Sequence, residues 1–187
     1  MGGLSPEQKV STITGNSVIE ALKRKGLKAL PIQVDHQIGT TLQSNPIDLA
    51  FIALHGTYGE DGCIQGLLEY FKIPYTGAGV MGSALAFDKL KSKEILKFHG
   101  IPTADYEVLY KNSEEKICRT LNLPVVVKPT NQGSSLGISI VKNENEWEPA
   151  LETAFAYSEE VIVEKFIEGK LLAIGMNEME PMPIIHI

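Results

Sequence analysis

The chain has 187 residues, of which 43% are hydrophobic and 21% charged, and its formal net charge is −6 at pH 7. This balance is that of an ordinary globular protein and excludes a disordered or fibrous chain. The longest basic run, residues 23–25, suits the end of a helix, so we expect no basic groove and no nucleic-acid partner.

The two cysteines, Cys63 and Cys118, lie far apart and lack metal-site spacing, which favours a reducing compartment with two unpaired thiols. The N-terminus has no secretion-signal pattern. The longest apolar run, residues 49–54, is far too short to span a bilayer. We therefore expect a soluble, cytoplasmic protein that makes no contact with a membrane.

The N-terminal part alternates between helical and strand patterns. Ser5 is expected to cap a first helix that ends at Gly26, with Gln8 completing a capping box. The second of three expected strands is nearly continuous in apolar residues, which predicts burial on both faces. The strands and the next helix are expected at residues 28–34, 47–54 and 73–76 and at residues 62–72. This order predicts an open parallel sheet covered by helices.

The pattern changes after residues 77–79, where we expect a domain boundary. Ser83 is expected to cap a helix that reaches His99. Strands then follow one another through a short loop at residues 131–135, which predicts an α+β domain of antiparallel type. Its strands are expected at residues 124–130, 136–142 and 161–166, with a helix at residues 144–157. Both ends of the chain interrupt an element, so we expect an incomplete portion of a longer protein.

The segment around Lys128 is the strongest chemical signal. A lysine at the end of a buried strand, followed by glycines and serines at residues 133–137, suits polyphosphate binding through backbone N–H groups and hydroxyls. The order differs from a Walker A motif. An ordinary glycine-rich hairpin with a solvated lysine explains the pattern equally well.

Residues 55–66 combine His55, glycines and the carboxylates Glu60 and Asp61 directly after a buried strand, where open α/β sheets bind ligands. A ligand loop is favoured, although the carboxylates also suit the start of a helix.

Other candidate positions are weaker when taken alone. A carboxylate at Glu7 is explained by the dipole of the first helix, and Lys89, beside Lys91 and Lys93, by solvent exposure. Residues 161–169 fit either a hinge that reads a nucleotide base or an amphipathic strand end.

In this order, the segments resemble the D-alanine–D-alanine ligases of the ATP-grasp superfamily. The matching segments are residues 2–7 with Val10 and Ser11, 55–66, 74–77, 83–85 with Asp88 and Lys89, 127–129, 133–137 and 164–166. The resemblance implies an N-terminal α/β substrate domain at residues 1–78 that lacks its first strand. It also implies a central ATP-grasp subdomain at residues 79–163 and the beginning of the C-terminal ATP-grasp subdomain at residues 164–187.

The resemblance further implies ligation of two D-alanines with ATP and Mg²⁺, through an acyl phosphate, by a homodimer that serves peptidoglycan synthesis. Glu7 would hold the ammonium group of the first D-alanine, with His55 and Ser134 in the same site. Lys89 and Lys128 would contact the ATP phosphates. The remaining residues would cover the phosphates or border the adenine: Gly133, Ser134, Ser135 and Gly137 for the phosphates, and Glu164, Lys165 and Ile167 for the adenine.

The sequence departs from this family at Leu171, where the family has a glutamate for the ribose hydroxyls. Loss of that acceptor is expected to weaken nucleotide binding by roughly 1–3 kcal/mol. The family's metal-binding carboxylates and catalytic arginine would lie beyond Ile187, so we expect no metal ligands and no ligation by this chain alone. Two alternatives stay open: a non-catalytic remnant that binds D-alanine or nucleotide, and a D-alanine–D-lactate ligase.

Overall fold

The computed structural model describes residues 1–113, 119–177 and 179–187. The expectation of a free thiol at Cys118 therefore falls outside the described residues, whereas Cys63 carries a free, exposed thiol. No helix among the described residues has the length and apolar character needed to cross a membrane.

The first helix is α1 (Gln8–Arg24), and its N-cap residue is Glu7 rather than Ser5. The predicted capping box with Gln8 is wrong because the Ser5 hydroxyl has other partners. It donates to the carbonyl of His55 at 2.7 Å and accepts the backbone N–H of Glu7 at 3.2 Å. Ser5 thus ties the turn before α1 to the segment that carries His55.

The predicted parallel pairing in the N-terminal part is confirmed, but the three long strands are wrong. Within the described residues, these segments form single parallel bridges, between Gly2 and Val34 and between Ala50 and Tyr75. Burial on both faces is also wrong, because the Leu49 and Phe51 side chains are exposed. The opposite face packs on a small core that contains helices α2 (Ile38–Ser44) and α3 (Cys63–Tyr70). The buried members of that core are Leu42, Leu54, Ile64 and Leu68.

The helix predicted from Ser83 to His99 consists of two helices, α4 (Val80–Phe87) and α5 (Lys89–Phe98). Asp88 separates them because its backbone is extended, with ψ at 109°, and its carboxylate accepts the backbone N–H of Lys91. Ser83 therefore lies inside α4, and Lys89 is the first residue of α5 rather than two turns into a helix.

The second part is built on a four-stranded antiparallel sheet in the order β1-β4-β2-β3. Its strands are β1 (Tyr106–Tyr110), β2 (Val125–Pro129), β3 (Ser139–Val141) and β4 (Glu160–Lys165). The predictions of β2, β3 and β4 are confirmed, whereas β1 was not predicted. β1 lies at the sheet edge and is only half-buried, so its sequence has no strong apolar pattern.

One face of this sheet is covered by α6 (Trp147–Phe155), which follows a 3-10 turn at Glu144–Glu146. Asn143 and Glu146 form a capping box at this turn. The core between α6 and the sheet is entirely apolar, and burial of such side chains is the main stabilising contribution. It consists of Val125, Val127, Val141, Trp147, Ala150, Leu151, Ala154, Phe155, Val161 and Val163.

The last described residues form two small antiparallel pairs. One joins β5 (Leu172–Ala173) to β8 (Ile185–His186), and the other joins β6 (Met176–Asn177) to β7 (Glu180–Pro181). The fold is thus an α/β part with parallel pairing, followed by an antiparallel α+β part. The division at residues 78 and 163 stays a prediction.

Candidate nucleotide and substrate site

Glu7 is a buried carboxylate at the meeting point of two distant segments. Its side chain is buried and makes no capping hydrogen bond, so compensation of the α1 dipole does not by itself account for this carboxylate. The hydroxyl of Ser134 donates to its Oε2 atom. Its Oε1 atom is buried and has no hydrogen-bond partner in the described protein. An ionised oxygen in this position is costly unless a donor reaches it, which suits a cationic ligand.

Two glycines make room for the Glu7 carboxylate. A Cβ atom at Gly56 would lie 2.5 Å from Glu7 Oε1, and one at Gly133 would lie 2.7 Å from the same atom. Both distances are shorter than any ordinary contact. The backbone of the loop at residues 55–66 and that of the loop at residues 133–137 therefore both approach the Glu7 carboxylate closely.

His55 lies next to this carboxylate through its backbone rather than through its ring. Its carbonyl accepts the Ser5 hydroxyl, while Nε2 is 3.1 Å from Thr14 Oγ1 and Nδ1 is 3.9 Å from Glu60 Oε1. Glu60 also accepts the backbone N–H of Gly56. Glu60 and His55 thus brace the loop, so the alternative that Glu60 only suits the start of the next helix does not account for its contacts.

The loop at residues 133–137 adopts a backbone that is unusual for residues with side chains. Ser134, Ser135 and Gly137 have positive φ angles of 47°, 61° and 73°. Left-handed φ values at non-glycine residues cost free energy and cluster at functional sites. Ser134 and Ser135 are exposed, whereas Gly137 is buried against Pro129.

Three lysines surround one carboxylate beside this loop. Glu164 is buried on β4, where its Oε2 is 2.7 Å from Lys128 Nζ and its Oε1 is 3.3 Å from Lys93 Nζ. Lys89 Nζ donates to the carbonyl of Gln132. These four residues carry three positive charges and one negative charge. Burial lowers the pKa of Lys89 and the nearby Lys128 charge lowers it further, while the carboxylates of Glu164, Asp88 and Glu7 oppose this shift.

Lys93 is the residue that sequence reasoning missed. It was named only as a neighbour of Lys89 and not as a site candidate, yet it is buried. Its ammonium group donates to Thr103 Oγ1 at 2.6 Å and to the carbonyl of Ala104 at 3.0 Å. A signal did exist, because Lys89 and Lys93 are four residues apart and share one face of a helix.

Two further predicted residues, Lys165 and Ile167, lie at and just after the end of β4. Lys165 is exposed at the end of β4, and its backbone N–H bonds to the carbonyl of Asp105. The Ile167 side chain is exposed just beyond. The structure thus brings Glu7, Gly133 and Ser134 together and places Lys89, Lys128 and Glu164 in a second cluster, whereas contacts of Lys165 and Ile167 with either cluster stay a prediction.

Across residues 1–113, 119–177 and 179–187, no three His, Cys, Asp or Glu side chains are grouped so that they could hold a metal ion. The described residues therefore do not fit the Mg²⁺ ion that the resemblance implies. By contrast, the three lysines and the adjacent glycine-rich loop fit the phosphate groups of ATP.

A parallel α/β part joined to an antiparallel sheet, with Lys128 on β2 and Lys89 on α5 beside a glycine-rich loop, defines the class as an ATP-grasp fold. The family profile "D-ala D-ala ligase N-terminus" matches residues 36–78, and the profile "D-ala D-ala ligase C-terminus" matches residues 94–187. The chain belongs to the D-alanine–D-alanine ligase family.

Relatives and solved structures agree with this assignment. D-alanine–D-alanine ligases of Syntrophotalea carbinolica and Geobacter sulfurreducens are each 45% identical over all of this chain, which covers 61% and 60% of those proteins. The chain thus spans about three fifths of the length of these curated relatives.

Two solved structures share the fold. One is the D-alanine–D-alanine ligase of Bacillus anthracis complexed with ATP, at a TM-score of 0.86 and 37% identity over all of this chain and 63% of that one. The other is D-alanyl-alanine synthetase A of Vibrio cholerae, at a TM-score of 0.80 and 26% identity over all of this chain and 65% of that one.

Proposed function

We propose that this chain is part of an ATP-dependent ligase that joins two D-alanine molecules, with ATP and Mg²⁺ as cofactors. The observation that carries the proposal is the buried Glu7 carboxylate, whose Oε1 atom has no partner while Oε2 is held by Ser134. A small amino acid presents an ammonium group that satisfies such an acceptor. Family membership supplies the identity of the amino acid.

On the substrate side, Glu7 holds the ammonium group of the first D-alanine, and Ser134 fixes the direction of the Glu7 carboxylate. Gly56 and Gly133 leave space for the carboxylate between two loops. His55 contributes through the loop that it braces with Glu60. These groups orient one amino acid so that its own carboxylate faces the phosphate-binding lysines, and such positioning is the main protein contribution in phosphoryl transfer.

On the nucleotide side, Lys89 and Lys128 bind phosphate oxygens, and residues 133–137 cover them with backbone N–H groups. Glu164, Lys165 and Ile167 border the adenine, where the buried Glu164 Oε1 atom is in ionic contact with Lys93 and has no hydrogen-bond partner among the described residues. When bound, ATP supplies the phosphoryl group that activates a D-alanine carboxylate for attack by the amine of the second D-alanine. The lysines stabilise the charge that develops on the transferred group.

The biological setting follows from the same proposal. The product is a D-alanyl-D-alanine precursor of peptidoglycan, which contributes to cell-wall formation and cell shape, and the protein acts in the cytoplasm as a homodimer. A second candidate is a non-catalytic protein that keeps only the D-alanine or nucleotide pocket. The observation that favours it is Leu171, an exposed apolar side chain where the family carries a ribose-binding glutamate.

The test is ADP formation by the full-length protein with ATP and Mg²⁺, with D-alanine present or omitted. We expect ADP formation that depends on D-alanine, is absent with L-alanine and is lost in Glu7→Gln. Release of D-alanyl-D-alanine separates this activity from D-alanine–D-lactate ligation, which requires D-lactate as second substrate. Binding of D-alanine or ATP without any turnover would overturn the ligase and favour the binding protein.

A further inference from the structure

Lys93 has more fixed contacts than a lysine on the protein surface needs. It lies on α5 with its side chain 9% exposed, and its ammonium group has three oxygen neighbours on the adjoining segments. Two of them are fixed oxygen acceptors, Thr103 Oγ1 and the Ala104 carbonyl. The third is Glu164 Oε1 at 3.3 Å, an ionic contact rather than a hydrogen bond.

Glu164 therefore has two counter-charges of different kinds. Lys93 is anchored by two protein oxygens and cannot leave its place without losing both hydrogen bonds. Lys128 reaches Glu164 from β2 with a more exposed side chain, 19% against 9%, and Glu164 is its ion-pair partner in this structure. Under the proposed function, on which this inference rests, Lys128 turns to a nucleotide phosphate when ATP binds.

A buried carboxylate that loses its counter-charge either raises the free energy of the complex or takes up a proton. The ionisable groups that face Glu164 are Lys89 and Lys93 from α5, Lys128 from β2 and Tyr106 from β1, whose residue pairs with Glu164 across the sheet. Lys89 donates a hydrogen bond to the Gln132 carbonyl in the loop and is also a phosphate ligand in the proposal. Lys93 is then the counter-charge that stays with Glu164.

We propose that Lys93 is a positioning residue for nucleotide binding: it stays beside Glu164 as a fixed counter-charge and holds its orientation while Lys128 moves from Glu164 to the phosphate. Lys93 does not touch the nucleotide. Its effect is to leave the buried carboxylate with a partner after Lys128 has moved.

The experiment measures ATP affinity of the full-length protein by titration calorimetry. In Lys93→Met we expect the affinity to fall by about tenfold, because Glu164 then has no anchored counter-charge once Lys128 has moved. Lys93→Arg keeps the charge and should restore most of the affinity.

Lys97→Met is the matched control. Lys97 lies one turn further along α5 and stands 4.1 Å from the ring of Tyr106, which Lys93 also approaches, but it is exposed and has no contact with Glu164. This variant loses the same charge from the same helix, so a general charge effect would appear in both. We expect the ATP affinity of Lys97→Met to equal that of the unaltered protein.

The outcomes separate the two proposals. If the unaltered protein binds ATP and Lys93→Met behaves like Lys97→Met, the role of Lys93 is overturned and the proposed function stands. If the unaltered protein does not bind ATP, both are overturned. Should Lys93→Met fail to fold, Thr103→Val decides, because it removes one anchor of the ammonium group and keeps every charge. A loss of affinity smaller than the one expected for Lys93→Met supports the inference, and an unchanged affinity overturns it.

Discussion

The Ser134 hydroxyl donates a hydrogen bond to the Glu7 carboxylate, although the two residues are 127 positions apart in the sequence. This contact joins the turn before α1 to the glycine-rich loop after β2. It connects the part of the chain proposed to hold an amino acid with the part proposed to hold phosphate. In this structure the same hydrogen bond therefore holds the loop in place and orients the carboxylate.

Removal of the Ser134 hydroxyl tests this connection. In Ser134→Ala, Glu7 loses a charge-assisted hydrogen bond, which is worth about 1.5–3 kcal/mol. We expect D-alanine binding, measured by calorimetry, to weaken by about tenfold or more. Ser17→Ala is the control, because the Ser17 hydroxyl lies exposed on α1 and bonds only the Ile13 carbonyl in its own helix. Equal affinities of the two variants would contradict a role for Ser134.

Neutralisation of Glu7 should separate stability from function. Its buried carboxylate has one oxygen without a donor, and such a group costs free energy in the unliganded protein. In Glu7→Gln we expect D-alanine binding to be lost while the free energy of unfolding is unchanged or rises by up to about 1 kcal/mol. Thermal unfolding and calorimetry measure the two quantities, with the exposed Glu20→Gln on the same helix as control. Unaltered D-alanine affinity would speak against the assignment of Glu7.

Gly56 should be intolerant of a side chain for two separable reasons. Its φ angle is 71°, and a Cβ atom would lie 2.5 Å from Glu7 Oε1. Gly26 has nearly the same φ angle, 73°, but no atom within 4 Å of an added Cβ. Gly26→Ala should therefore cost only the strain of a left-handed residue, about 1–2 kcal/mol.

We expect Gly56→Ala to cost more in the free energy of unfolding than Gly26→Ala and also to weaken D-alanine binding, because the carboxylate is displaced. Chemical denaturation and calorimetry on both variants give the comparison. Identical losses in the two variants would mean that the contact with Glu7 has no consequence.

The depressed pKa of Lys89 predicts how ATP binding depends on pH. Burial lowers this pKa below the usual value, and the Lys128 charge lowers it further. Phosphate binds the protonated ammonium, so affinity is complete below the folded-state pKa and falls as the pH rises through it, by at most about tenfold per pH unit.

Lys89→Arg keeps its charge at all accessible pH values and should flatten this alkaline decline. Fluorescence titration with an ATP analogue between neutral and alkaline pH measures the slope, and Lys97→Arg is the control. A decline of equal slope in Lys89→Arg would assign the titrating group elsewhere.

Patterns of neighbouring residues were enough to predict much of the second part. β2, β3, β4 and the helix after Asn143 follow from local apolar patterns. The single helix expected across Asp88 was wrong, because an extended residue with a capping side chain ends one helix and begins another. The strands expected in the N-terminal part were longer than the single bridges observed, because apolar runs indicate pairing but not its length.

By itself, the sequence determined the fold class, the family resemblance and the identity of most site candidates, because these depend on residue types and their order. It could not decide which charges are buried. Glu7 suited the start of a helix and Lys93 was not a site candidate, yet both are buried because segments distant in the sequence cover them. Burial and counter-charges arise from long-range packing, and they determine the cost of a charge and its readiness to bind a ligand. Only the tertiary structure could therefore distinguish these charges from ordinary surface residues.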